Sequence, residues 1–183
     1  IRGCRMIDNK LSAIDCALDY IEKGWFVLPV RPNSKEPNGR LVKRGFLGAT
    51  RYPKQVREWF KIEPNSNIGI ACEMSGLLVL DFDYKNLKLP NPILDKFKAI
   101  ETLRVETGNG FHLYFIAPKN LTIVPGKLID GIDVKYRGFV VAPPSRHKNG
   151  KHYVADKTSV ALLTPSILYE TVKQNERRVH VYK

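Results

Sequence analysis

Cysteine is scarce in this sequence: three residues in 183, at Cys4, Cys16 and Cys72. Odd in number, widely spaced and without a CxxC or HxxxH pattern, they supply neither a disulfide framework nor a zinc site, so no zinc is expected. Thiols used this way suit a reducing compartment, and a cytoplasmic protein is the expectation. Long apolar runs are missing too. No stretch approaches the roughly 20 residues that span a bilayer, and Ile1-Arg-Gly-Cys-Arg-Met6 lacks a signal-type apolar region, so no membrane partner is expected. Acidic charge is the third shortage: 18 Asp and Glu stand against 30 Lys and Arg, a net +12. That imbalance points to a polyanionic partner, nucleic acid or triphosphate.

What is present is enough hydrophobic sequence, 43%, to bury a sizeable core. The chain reads as one catalytic domain over residues 8–170, with a basic tail or linker over 171–183 leading towards a further domain. The basic excess is concentrated. Residues 31–61 hold nine Lys and Arg against Glu36 and Glu58. Within them, 31–50 is a Pro-, Gly- and Lys-rich stretch longer than most connections in compact domains, which marks it as a candidate substrate loop. Arg40, Lys43, Arg44 and Arg51 are the candidate DNA contacts. A solvated basic face is the plainer alternative.

Hydrophobic spacing at Leu11, Ile14, Leu18 and Ile21 predicts a first helix, with Asp8 or Ser12 as N-cap and Gly24 as its stop. A buried strand at 25–30 follows. Pro53, then Val56, Trp59 and Phe60, mark a second helix that Pro64 ends. Strands at 68–72 and 77–83 flank Glu73-Met-Ser-Gly76 and read as a hairpin. Two more hairpins are expected, one pairing 103–107 with 111–117, the other 132–136 with 139–142 around Arg137-Gly138. Asn91-Pro92 and Thr164-Pro165 open two further helices. Hairpins interrupted by helices give an α+β class with a mostly antiparallel sheet.

Chemistry concentrates at the end of one strand. In Leu77-Leu-Val-Leu-Asp81-Phe-Asp83 the two carboxylates share a face, because side chains alternate across a strand. Held so close they repel each other unless a cation sits between them, and oxygen ligands suit Mg²⁺ or Mn²⁺. Two other segments repeat the arrangement: His112 and Tyr114 oppose Phe111, Leu113 and Phe115, while Asp133 and Lys135 oppose Ile132, Val134 and Tyr136. Stacked, these faces give three carboxylates, an imidazole and an ammonium. The set fits nucleotidyl transfer: Asp81, Asp83 and Asp133 as catalytic ligands of two metal ions, with His112 and Lys135 neutralising triphosphate oxygens.

The order of these segments resembles the bifunctional primase-polymerase domains of the archaeo-eukaryotic primase superfamily, found in replication proteins of plasmids, viruses and phages. Gly24-Trp-Phe-Val-Leu-Pro-Val with Lys35-Glu-Pro37 is similar to the family's opening motif, and Gly76-Leu-Leu-Val-Leu-Asp-Phe-Asp83 to its first metal motif. Thr107-Gly-Asn-Gly-Phe-His-Leu-Tyr-Phe115 is similar to the segment carrying its histidine, and Gly131-Ile-Asp-Val-Lys-Tyr-Arg-Gly-Phe-Val-Val-Ala-Pro-Pro-Ser145 to its third-carboxylate motif.

The resemblance implies an RRM-like, mostly antiparallel sheet lobe plus a smaller N-terminal α/β lobe, with the active site in the cleft between them. It implies DNA primase and polymerase activity on a single-stranded DNA template and primer, with dNTPs or rNTPs and two Mg²⁺ or Mn²⁺ ions, in concert with a downstream helicase domain or partner. Gly110 would make a backbone contact where relatives often carry Ser; Lys35, in the basic loop, would lie near the triphosphate or template, and Ser145 would be a polar contact to the nucleotide. Lys135 stands where the family often has Arg. Two other functions use the same features: a metal-dependent nuclease, and a non-catalytic RRM-like nucleic-acid-binding module suggested by Arg137-Gly-Phe-Val-Val.

Overall fold

A computed structural model describes residues 6–7, 10–88, 91–120 and 122–181. A short ribbon of β1 (Met6–Ile7) and β2 (Lys10–Leu11) precedes helix α1 (Ala13–Glu22). Ser12 occupies the N-cap; Asp8 and Cys4 lie outside the described residues. Ile14, Leu18 and Ile21 form the inward face of α1, and Gly24, at φ +86°, turns the chain out of the helix. Strand β3 (Phe26–Val30), helix α2 (Pro53–Ile62) and strand β4 (Asn67–Ala71) follow. Val56, Trp59 and Phe60 are the buried side of α2, which ends before Pro64 because a residue preceding proline disfavours helical ψ.

Strand β5 (Leu77–Asp83) leads to α3 (Pro92–Lys98), where Asn91 Oδ1 accepts from Ile93 N, 3.1 Å, as an N-cap. Next come β6 (Arg104–Glu106), β7 (Gly110–Ile116), β8 (Gly126–Ile129), β9 (Ile132–Lys135) and β10 (Phe139–Ala142). The short strands β11 (Val154–Ala155) and β12 (Ala161–Leu162) precede helix α4 (Ser166–Val181), which runs without a break across position 170.

The strands form two principal sheets. One has the order β10-β4-β3; the other runs β11-β6-β7-β5-β9-β8, with β12 alongside β7. Among the described residues all pairings are antiparallel except β12 with β7. Because β7 lies antiparallel between β5 and β6, the segment β5-α3-β6 is a split βαβ unit. The α+β class with mostly antiparallel sheets is therefore as expected, and is consistent with a primase-like fold.

The β6–β7 hairpin forms as the sequence predicts, closed by Thr107 N donating to Gly110 O. The other two expected hairpins do not. Strand β4 pairs with β3 and β10, whereas β5 pairs with β7 and β9, so Glu73-Met-Ser-Gly76 carries the chain from one sheet to the other. Arg137-Gly138 does the same between β9 and β10. The two crossings lie side by side: Cys72 N donates to Gly138 O and Glu73 N to Tyr136 O. What looked like two hairpins is one long antiparallel ribbon divided between sheets. The reason is burial. All of β4 and the first four residues of β5 are buried, so each strand needs hydrogen-bonded neighbours on both edges, which a lone hairpin cannot supply.

One face of the larger sheet packs Leu78, Leu80, Phe82, Phe111, Leu113 and Ile132 against Ile93, Leu94 and Phe97 of α3, with Ile167 and Leu168 of α4 alongside. Phe82 stacks on Phe111 at 4.4 Å and meets Phe97 edge-on at 5.3 Å, contacts worth about 0.5–1.5 kcal/mol each beyond burial. On the opposite face, Leu77, Val79 and Tyr114 join the core of α1, α2 and the smaller sheet. A ladder of rings, Tyr20 to Trp25 at 5.6 Å and Trp25 to Tyr114 at 6.2 Å, runs through that junction. Of the cysteines among the described residues, Cys72 is a buried free thiol, as expected, whereas Cys16 is disulfide-bonded, against the expectation.

Burial pushes the phenols of Tyr20 and Tyr114 up, and burial with the nearby Asp81 charge pushes Tyr153 up to about 12. These groups stay neutral in the folded state while unfolded tyrosines ionise near pH 10. Their contribution is therefore complete below about pH 10 and is lost as pH rises from there towards the folded values. The urea midpoint is expected to fall between about pH 9 and 11, and to fall less in Tyr153→Phe. Equal slopes for the two proteins would contradict the assignment.

Candidate active site

Antiparallel register, not sequence proximity, assembles the site. Asp81 on β5 lies directly opposite His112 on β7 and, on its other side, Asp133 on β9. The same ladder row continues to Val105 on β6 and Lys127 on β8. Directly opposite residues put their side chains on one face of a sheet, so a histidine and two carboxylates become adjacent although 31 and 52 positions separate His112 and Asp133 from Asp81. Lys135, two residues beyond Asp133, shares that face.

His112 Nε2 is 3.4 Å from Asp81 Oδ1, and Lys135 Nζ is 3.7 Å from Asp81 Oδ2 and 3.0 Å from Asp133 Oδ2. Burial acts to raise the Asp81 carboxyl. The hydrogen bond and charge of His112, with Lys135 and then Lys35, outweigh it and hold Asp81 below the usual carboxylate range. A quarter of the Asp81 side chain and nearly half of that of Asp133 reach solvent, so both remain accessible to a ligand. His112 is only 5% exposed and its Nδ1 has no hydrogen-bond partner, nor has the fully buried Tyr114 hydroxyl two residues on.

Asp83 shares the face by alternation, but its carboxylate is folded into the turn that follows. Its Oδ1 accepts from Lys85 N, 3.0 Å, and its Oδ2 from Asn86 Nδ2, 2.8 Å. Opposite it stands Gly110. A Cβ there would lie 1.8 Å from Phe82 O, so only glycine lets β7 come this close to β5 at the Asp83 end.

From the basic loop, the charge of Lys35 is felt at Asp81. Lys35 sits in a turn closed by Arg31 N to Glu36 O. Asn67, 3% exposed at the start of β4, fixes that turn: its Nδ2 donates to Ser34 O and Arg146 O, and its Oδ1 accepts from Arg146 N. Val42, buried at 4%, and Trp59 Nε1 donating to Leu41 O anchor the rest of the loop. Arg40, Lys43, Arg44 and Arg51 are exposed along it, Arg51 over the Phe26 ring at 4.7 Å. Ser145, 5% exposed, uses its Oγ to accept from Ile68 N at 2.8 Å, which binds the loop after β10 to β4.

Sequence reading passed over Asn67, Tyr153 and Lys127. Asn67 carries a faint signal, a polar residue opening an apolar strand. The others do not, since Tyr153 follows a loop and Lys127 belongs to a strand with no apolar alternation.

Asp81 and Asp133 offer hard oxygen donors on neighbouring strands, the chemistry that Mg²⁺ or Mn²⁺ prefers. Among the described residues, no group of three or more His, Cys, Asp or Glu is gathered closely enough to hold a metal ion. Asp83 would join the pair only by giving up its bonds to Lys85 and Asn86. Asp81 and Asp133 are thus of the donor type a divalent cation takes, and a third carboxylate would have to be brought to them to complete a site.

Among the described residues no helix is long and apolar enough to cross a membrane. The comparison with curated proteins gives no match. The sequence pattern of the bifunctional DNA primase/polymerase N-terminal domain matches residues 17–168, from α1 into α4 and across every residue of the row. The chain belongs to the bifunctional DNA primase/polymerase (Prim-Pol) family.

Proposed function

We propose that this chain catalyses template-directed nucleotidyl transfer by a two-metal mechanism, as the DNA primase and polymerase of a mobile-element replication protein. The observation that carries the reading is the row His112–Asp81–Asp133 with Lys135 beside it on one sheet face, its two carboxylates reaching solvent, inside a family of DNA primases and polymerases. Asp81 and Asp133, joined by Asp83, are the proposed ligands of Mg²⁺ or Mn²⁺. Such ions, when bound, polarise the reacting phosphate and stabilise the attacking and leaving oxygens. His112 keeps Asp81 ionised and in place; with so little of its ring exposed, any contact with phosphate is made by an edge.

Lys135 and Lys35 bring positive charge to the same face, where they would neutralise the triphosphate of a dNTP or rNTP. Gly110 keeps the backbone low where the nucleotide would lie. Arg40, Lys43, Arg44 and Arg51 would follow the phosphates of a single-stranded template and primer. The active site would then occupy a cleft between the two sheets, with residues 171–183 leading towards a helicase domain or partner.

The test is synthesis on a DNA template, with and without a primer, in Mg²⁺ and in Mn²⁺, comparing dNTPs with rNTPs. Primer lengthening is expected. Product without a primer would establish initiation, whereas primer shortening with no extension would assign the carboxylates to a nuclease.

A further inference from the structure

Lys135 does more in this geometry than add positive charge. Its ammonium bridges Asp81 Oδ2 at 3.7 Å and Asp133 Oδ2 at 3.0 Å, the two carboxylates nearest each other across the β5–β9 register. It stands where a cation must stand if those two charges are to lie side by side. The neighbouring cations do not take that part: Lys127, next in the row, is held by Asp130 at 2.6 Å, and His112 meets Asp81 at Oδ1 rather than at the Oδ2 that Lys135 meets. Lysine suits the position because its ammonium is a compact point charge on a flexible stem, able to leave one partner for another. An arginine would grip a carboxylate with two bonds.

On the reading that Asp81 and Asp133 hold the catalytic metal, we propose that Lys135 is their internal counter-ion. It competes with the divalent cation for the two carboxylates and, once displaced, swings its charge to the phosphates of the incoming nucleotide. The pair of carboxylates is then never left uncompensated. The lysine reaches the phosphates only after a metal has arrived, which couples nucleotide capture to metal loading.

The experiment measures Mn²⁺ binding to the full chain without nucleotide or DNA, by the loss of the free-ion electron paramagnetic resonance signal. Removing a unit positive charge about 4 Å from a part-exposed carboxylate pair should tighten Mn²⁺ about five- to tenfold in Lys135→Met. Lys135→Arg, which keeps the charge, should bind Mn²⁺ no more tightly than the unaltered protein. Asp81→Asn and Asp133→Asn should each weaken it. With folding checked by circular dichroism, tighter binding in K135M alone supports the proposal. Unchanged or weaker binding in K135M overturns it, as does equal tightening in K135R, while loss of binding in D81N keeps the metal site standing. Undiminished Mn²⁺ binding in both aspartate variants would instead remove the metal reading itself.

Discussion

Asp81→Asn is expected to lower primer extension about a thousandfold or more, with the fold intact and DNA binding retained. The substitution is nearly isosteric, so backbone pairing to β7 and β9 is unaffected. What goes is the negative charge that His112, Lys135 and Lys35 surround. With an amide there the site loses the carboxylate common to both halves of the row, and a hard divalent cation loses a charged donor. Asp133→Asn should fall nearly as far. Single-turnover extension of a labelled primer, with binding followed by fluorescence anisotropy, separates lost chemistry from lost binding. Extension within tenfold of the unaltered protein would place the reaction elsewhere.

The second large effect is structural. Gly110→Ala should destabilise the chain by roughly 3 kcal/mol or more, because the added methyl meets backbone that cannot move aside. Its Cβ would be 1.8 Å from Phe82 O, 2.9 Å from the Phe82 carbonyl carbon and 3.3 Å from Asp83 Cα. Strands β5 and β7 would have to separate where they pair Asp83 with Gly110, next to His112 and Asp81. For a chain of this size the melting temperature should drop by roughly 6–12 °C, measured by scanning calorimetry. Gly39→Ala is the control, since nothing lies within 4 Å of a Cβ there, and its melting temperature should be close to that of the unaltered protein. If G110A melted with the control, the close approach of β7 to β5 would be wrong.

The β6–β7 turn and the helices α1, α2 and α3 were legible because each rests on local rules: Gly108-Asn-Gly110 between alternating strands, or a 3- and 4-residue apolar spacing with Pro53 or Asn91-Pro92 at its start. Lys35 and Ser145 show the limit of such rules. Both were named from one motif order, yet Lys35 is brought within electrostatic reach of Asp81, while Ser145 is turned inward to bind Ile68 N. A loop residue's direction depends on what the loop packs against, here Asn67 and β4. No periodicity reports that.

By itself the sequence determined the α+β class, the family and the face on which Asp81, Asp83, His112, Asp133 and Lys135 lie, because strand alternation fixes a side chain's face as soon as the strand is recognised. Only the tertiary structure decided which strands are neighbours. The segments around Glu73-Met-Ser-Gly76 and Arg137-Gly138 have the spacing of hairpin loops, but strands buried on both faces need partners on both edges, and these lie far along the chain. That long-range pairing divides one ribbon between two sheets and sets Asp81 between His112 and Asp133. It also puts the ammonium of Lys135 between the two carboxylates.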